Sequence, residues 1–258
     1  MKHLKQIKTQ DYVCNYIFCD GQKVFVFLNG TIGVKEFFSN FKKYKDKNDG
    51  YLFIDLPGFG SSAINSKTKK NVIKMHVEAI YKIILKEKIN NFFLILFSLS
   101  TVYLVIMEKI LFFQKNIKKI IFIDPTLFPR DLVWSKKISL MRKREYLEYI
   151  KFYKKNLSVI FHAFLFTKKK YMNICNNLKR FDNLVLYRFN KECVHIVKNK
   201  NLLSNFKKTE KYFIFPDVEK NKILFKKFKN ISLLKKCGHY VFLDQPKKTF
   251  NLIKKYAK

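Results

Sequence analysis

His239 and two serines, Ser98 and Ser100, are the residues here whose types and setting could do chemistry. His239 follows Gly238 in a loop after the mostly apolar run Ile231 to Leu234. An imidazole titrates near neutrality, so it can take a proton from a hydroxyl and hand it to a leaving group. The serines lie in Leu96-Phe97-Ser98-Leu99-Ser100, where an apolar run ends. A hydroxyl activated by an imidazole is a nucleophile for acyl carbon. The other histidines, His3, His76, His162 and His195, have no such context and read as structural. Rival chemistries find little support. The sequence has neither a GxxxxGK[ST] phosphate loop nor a GxGxxG fingerprint. No cluster of His, Asp or Cys has metal-ligand spacing. We therefore expect no cofactor and no metal.

Glycine marks the backbone that must place these groups. The chain has only seven glycines, and five fall in three short motifs. They are Asn29-Gly30-Thr31-Ile32-Gly33, Asp55-Leu56-Pro57-Gly58-Phe59-Gly60-Ser61 and Gly238-His239-Tyr240. Glycine is required where φ is positive or where another chain comes close.

Between these motifs run the elements that would carry them. Val24 to Leu28, Tyr51 to Ile54, Phe92 to Leu96, Ile120 to Ile123 and Leu184 to Tyr187 are short apolar runs bounded by turn residues. Such runs predict strands buried on both faces of a parallel sheet. Asn71 to Leu85 carries Val72, Met75, Ala79, Ile80 and Ile83 at helical spacing, which predicts an amphipathic helix. The alternation implies right-handed β-α-β units. Tyr12 to Phe18 reads as an antiparallel edge strand. Residues 126–180 are Lys-rich and helical in pattern. They are too long for one crossover and predict a helical lid inserted over the sheet's C-terminal edge. The expected division is a core of 1–125 and 181–258 with a lid of 126–180.

These motifs and their order resemble the α/β-hydrolases over about residues 12 to 256. Asp55 to Ser62 matches the family's Asp-x-Pro-Gly-x-Gly-x-Ser turn. Gly238-His239-Tyr240-Val241-Phe242-Leu243-Asp244-Gln245-Pro246 matches its late Gly-His, including the acid and proline that follow. Two elements depart from the pattern. Asn29-Gly30-Thr31 stands for His-Gly-x, and Leu96 to Ser100 stands for the Gly-x-Ser-x-Gly elbow. The resemblance implies an α/β-hydrolase fold with a mostly parallel central sheet flanked by helices. It implies Ser98 as nucleophile, with Ser100 the other choice, and His239 as base. The backbone N–H groups of Thr31 and Leu99 would hold the oxyanion. Leu96 is bulky where the elbow wants a small residue. For the acid, the family position after the strand ending at Tyr187 points first to Glu192, then to Asp124 and Asp217.

Composition bounds the rest. The chain has 258 residues, enough for one domain with an insert, and 48% hydrophobic residues, enough for a large core. The formal charge is +34. Lys, Asn, Ile, Phe and Tyr are abundant, as AT-rich codons would produce, and the lysines are spread along the chain. The charge therefore reads as compositional, and nucleic acid is not the expected partner. Five cysteines, an odd number without a CxxC pair, read as reduced thiols. No signal peptide is visible, and the most apolar run, Phe92 to Met107, is too short to span a bilayer. A cytoplasmic protein without a membrane span is the expectation. The resemblance implies a serine hydrolase that cleaves a carboxylic ester or thioester through an acyl-enzyme. The substrate would be a small molecule or an acyl group on a carrier, and an acidic carrier protein would suit the charge. The competing expectation is a catalytically impaired binding protein of the same fold.

Overall fold

The computed structural model describes residues 4–156, 179–204, 206–218 and 228–258. Its centre is a nine-stranded sheet: β1 (Leu4–Lys8), β2 (Tyr12–Cys19), β3 (Lys23–Leu28), β4 (Asp49–Asp55), β5 (Ala63–Ile64), β6 (Phe92–Phe97), β7 (Ile117–Ile123), β8 (Glu210–Pro216) and β9 (Ile231–Leu234). The spatial order is β1-β2-β4-β3-β6-β7-β8-β9, with β5 on β2. From β4 to β9 the pairs are parallel; β2 runs antiparallel to β1, β4 and β5. All residues of β4 and β6 are buried, which accounts for the apolar runs Tyr51 to Ile54 and Phe92 to Phe97.

The described helices are α1 (Val72–Lys86), α2 (Leu104–Met107), α3 (Leu111–Asn116), α4 (Val133–Leu140), α5 (Lys143–Lys155), α6 (Asn183–Asn199), α7 (Val241–Asp244) and α8 (Pro246–Tyr256), besides short 3₁₀ turns. The predicted helix at 71–85 is α1, with Asn71 as its N-cap accepting from the Lys74 N–H. Aromatic packing ties the 3₁₀ helix Lys35–Lys43, α7 and α8 to one face of the sheet. Phe25 meets Phe250, Phe27 meets Phe38 and Phe41, and Phe97 meets Phe242.

The helical pattern expected from 126 onward is present as α4 and α5. Residues 157–178 of the expected lid lie outside the described residues, as do His162 and Cys175. One expectation fails here. Leu184 to Tyr187 is no strand but the first turns of α6, capped by the Asp182 side chain accepting from Val185 N–H. The next sheet strand is β8, some twenty residues on. The apolar positions Val185, Leu186, Phe189, Cys193, Val194 and Val197 are buried in α6 at helical spacing. A four-residue apolar window cannot separate the two periods; the longer window does.

α1 is joined to α6 and to the sheet's edge turns by two polar links. Glu192 on α6 accepts from the N–H groups of Val72 and Ile73, two donors that a helix start cannot satisfy internally. Burial pushes its carboxyl up, and those two donors partly offset the shift. His76 on α1 is fully buried between Phe59, Tyr103 and Phe189. Its Nε2 lies 2.9 Å from the Pro57 carbonyl and its Nδ1 3.0 Å from the Tyr103 hydroxyl. A carbonyl only accepts, so Nε2 bears the proton and Nδ1 accepts from Tyr103.

Burial lowers the His76 pKa to about 4, against an ordinary value of 6.5. The unfolded chain thus binds a proton between those values that the folded chain refuses. Stability is complete above pH 6.5 and is lost as pH falls towards 4, by about 3 kcal/mol from this group. Denaturation of wild type and His76→Gln across that window should show their stability gap narrowing by that amount. A gap that stays constant with pH removes His76 as the cause.

Candidate active site

The C-terminal ends of the parallel strands bring Ser98, His239 and Asp124 together. β6 ends at Phe97 with extended backbone, Ser98 turns sharply at φ 55°, and a 3₁₀ helix, Ser98–Tyr103, begins at once. This strand–turn–helix lifts the Ser98 side chain off the sheet's edge. Asp124 follows β7, the neighbouring strand, at φ 36°. His239 follows β9 in the short loop before α7.

The three side chains form a chain of contacts. His239 Nε2 lies 3.1 Å from Ser98 Oγ, and His239 Nδ1 lies 2.6 Å from Asp124 Oδ2. A carboxylate accepts and does not donate, so Nδ1 carries the proton. The Nε2 lone pair then faces the Ser98 hydroxyl, the tautomer a general base requires. The Phe97 ring packs 4.8 Å from the imidazole and limits its rotation. The Asp124 side of the site is laced to the elbow by Thr126 N–H on Ser98 O and by Thr101 Oγ1 on Thr126 O.

Ser100 has another task. It is fully buried and donates its hydroxyl to Phe97 O, closing the first turn after the strand. Leu96 is also fully buried and does not prevent the turn. Alternation along β6 puts it on the sheet face opposite Phe97. The crowding instead falls on Gly30. A Cβ there would lie 2.8 Å from Ser98 Cβ and 3.0 Å from Leu99 N. Gly30 thus lets the loop after β3 rest directly against the elbow.

That contact sets Gly30, the residue before Thr31, against Leu99. The first N–H groups of a helix have no partner inside it, which leaves the Leu99 N–H available next to Ser98. Asn29, in place of a histidine, is buried and donates Nδ2 to Val34 O across the loop. Ile32 holds φ 54°, unusual for a β-branched residue.

Glu192, the first expectation for the acid, is corrected by this geometry. It caps α1 as described, and Asp124 occupies the place beside His239. The misread strand is the reason, because Glu192 was counted from Tyr187. Asp217 does follow a true strand, β8, and its N–H bonds Leu234 O. Lys35 was not anticipated. Its buried ammonium sits on Asp55 at 2.6 Å. Nothing in the sequence marked one lysine among so many.

The order of strands, the elbow after β6 and a histidine after the last strand decide the architecture. The chain has the α/β-hydrolase fold. Solved structures agree. The epoxide hydrolase CorEH superposes with a TM-score of 0.74 at 10% identity, covering 99% of this chain and 98% of its own. A variant of the haloalkane dehalogenase DatA from Agrobacterium tumefaciens gives 0.75 at 12%, covering 98% and 96%. The esterase EaEST from Exiguobacterium antarcticum gives 0.68 at 14%, covering 95% of each chain. No family model and no curated protein matches the sequence. Among the described residues of this α/β-hydrolase fold, no helix is long and apolar enough to cross a membrane, and no group of three His, Cys, Asp or Glu could hold a metal ion.

Proposed function

We propose that the protein is a serine hydrolase that cleaves a carboxylic ester or thioester through an acyl-enzyme. The observation that carries this reading is the continuous path Ser98 Oγ, His239, Asp124. Ser98 attacks the acyl carbon as His239 Nε2 takes its proton. Asp124 holds the imidazole in the correct tautomer and stabilises its cation. Negative charge growing on the carbonyl oxygen meets the Thr31 and Leu99 N–H groups. Each such donor is worth about 3–4 kcal/mol when removed from comparable sites. The imidazolium then protonates the leaving alcohol or thiol. Water, deprotonated by the same nitrogen, releases the acid and restores Ser98.

A hydroxyl nucleophile suits acyl transfer, and the esterase among the structural neighbours fits that choice. The helices after β7 are read as a lid over this site. A fluorophosphonate probe tests the reading. Wild type should be labelled on Ser98 and the Ser98→Ala variant should not. Folded protein that takes up no label is a binding protein with a hydrolase scaffold.

A further inference from the structure

Lys35 stands one residue past the loop 29–34 that carries Thr31, and it opens the 3₁₀ helix Lys35–Lys43. Only 5% of it is exposed. Its Nζ has three acceptors: Asp55 Oδ2 at 2.6 Å, Ser61 Oγ at 2.8 Å and Glu36 Oε1 at 3.1 Å. Its own backbone N–H bonds the second oxygen of the same carboxylate, Asp55 Oδ1, at 2.6 Å. Asp55 is wholly buried at the end of β4 and also accepts from the Ser61 N–H and hydroxyl. Gly60, at φ 59°, leaves it room; a Cβ there would sit 2.3 Å from the Asp55 Cγ. Both oxygens of one immobile carboxylate therefore fix both the main chain and the side chain of Lys35.

A buried ion pair is a poor way to gain stability alone, since apolar residues of the same volume serve as well. What it supplies is a fixed point. The loop between β3 and Lys35 needs one. Ile32 sits in the left-handed region, and Gly33 is wedged so close to Asn29 that a Cβ would lie 2.3 Å from the Asn29 Cβ. Released at its far end, such a loop can relax its φ angles and turn the Thr31 N–H away. We propose that Lys35 is a positioning residue for the oxyanion site, tethering loop 29–34 to the Asp55 carboxylate so that the Thr31 N–H faces the Ser98 centre. This rests on the serine-hydrolase reading for its catalytic consequence, but not for the tether itself. Burial pulls the Lys35 ammonium down, yet Asp55 and Glu36 more than offset that, and the net direction is up, so the tether stays charged.

The test is Lys35→Met, which keeps length and removes charge. Hydrogen exchange followed by mass spectrometry reads the loop whether or not the protein is an enzyme. Well below the variant's Tm, amides of 29–34 should exchange at least about tenfold faster, with peptides of β6 and β7 unchanged. With p-nitrophenyl butyrate, kcat per titrated site should fall about 100-fold while KM moves less than about twofold. Unchanged loop exchange overturns the proposal, as does acceleration spread evenly over the sheet or an unchanged kcat per site. If Lys35→Met does not fold, Ser61→Ala removes one partner from both Lys35 and Asp55. It should speed exchange of the same loop about threefold, and no change overturns the tether. A wild type that neither labels nor hydrolyses sinks the hydrolase reading, while exchange still decides the role of Lys35.

Discussion

Replacing Ser98 with alanine is expected to lower kcat on p-nitrophenyl butyrate by about 10⁶-fold, and His239→Ala should do nearly the same. The double variant should lose no more than either single one. The reason is the 3.1 Å contact between His239 Nε2 and Ser98 Oγ. In the proposed mechanism one group supplies the attacking oxygen and the other removes its proton, so each is idle without its partner. A loss of that size is about 8 kcal/mol of transition-state stabilisation, most of what the pair can contribute. The proposed oxyanion N–H groups would still stabilise the direct attack of water on the carbonyl, which leaves a residual rate. Losses that multiply in the double variant would mean the two side chains act in separate steps. A Ser98→Ala rate within tenfold of wild type would place the esterase chemistry elsewhere on the surface.

The second large effect separates the acids. Asp124→Asn should lower kcat by about 10⁴-fold, because an amide no longer enforces a proton on Nδ1 and the lone pair turns away from Ser98. Glu192→Ala should leave kcat per titrated site unchanged and instead cost about 1–2 kcal/mol of stability, as the loss of a helix cap does. Its carboxylate accepts from the first N–H groups of α1 and feels the charge of Arg188. Asp217→Asn should likewise leave kcat unchanged. If Glu192→Ala carries the kinetic loss and Asp124→Asn does not, the assignment of the acid is reversed. Chemical denaturation and pre-steady-state titration together give both numbers for each variant.

Much of the scaffold was legible because the physics was local. Buried stretches of parallel strands must be apolar, and Val24 to Leu28 of β3, Tyr51 to Ile54 of β4, Phe92 to Phe97 of β6 and Ile120 to Ile123 of β7 are. Glycine was equally informative. Gly30 and Gly60 sit where a Cβ would strike the elbow and the buried carboxylate. The motifs around Ser98 and His239 marked two residues that stand 3.1 Å apart in the fold. The carboxylate beside His239 was harder to read, because the first expectation depended on counting strands. Leu184 to Tyr187 has the composition of a strand and the neighbours of a helix, and only the pattern out to Val197 shows which wins. Asp124 was in view as an alternative, since it closes a run that is a strand on any reading. Lys35 lay beyond reach. Its importance comes from a partner twenty residues away, and pairing across a fold leaves no mark in a sequence where lysine is common.

Ile32, Ser98 and Asp124 all hold left-handed backbone despite bearing side chains, and they lie in the turns that follow three neighbouring strands, β3, β6 and β7. Such conformations persist only where surrounding contacts enforce them. Mutational drift towards glycine or asparagine at these positions would ease the main chain and blunt the chemistry together. Selection for endurance and selection for turnover therefore pull in opposite directions on the same few codons, and a lineage that lost its substrate would be expected to drift there first.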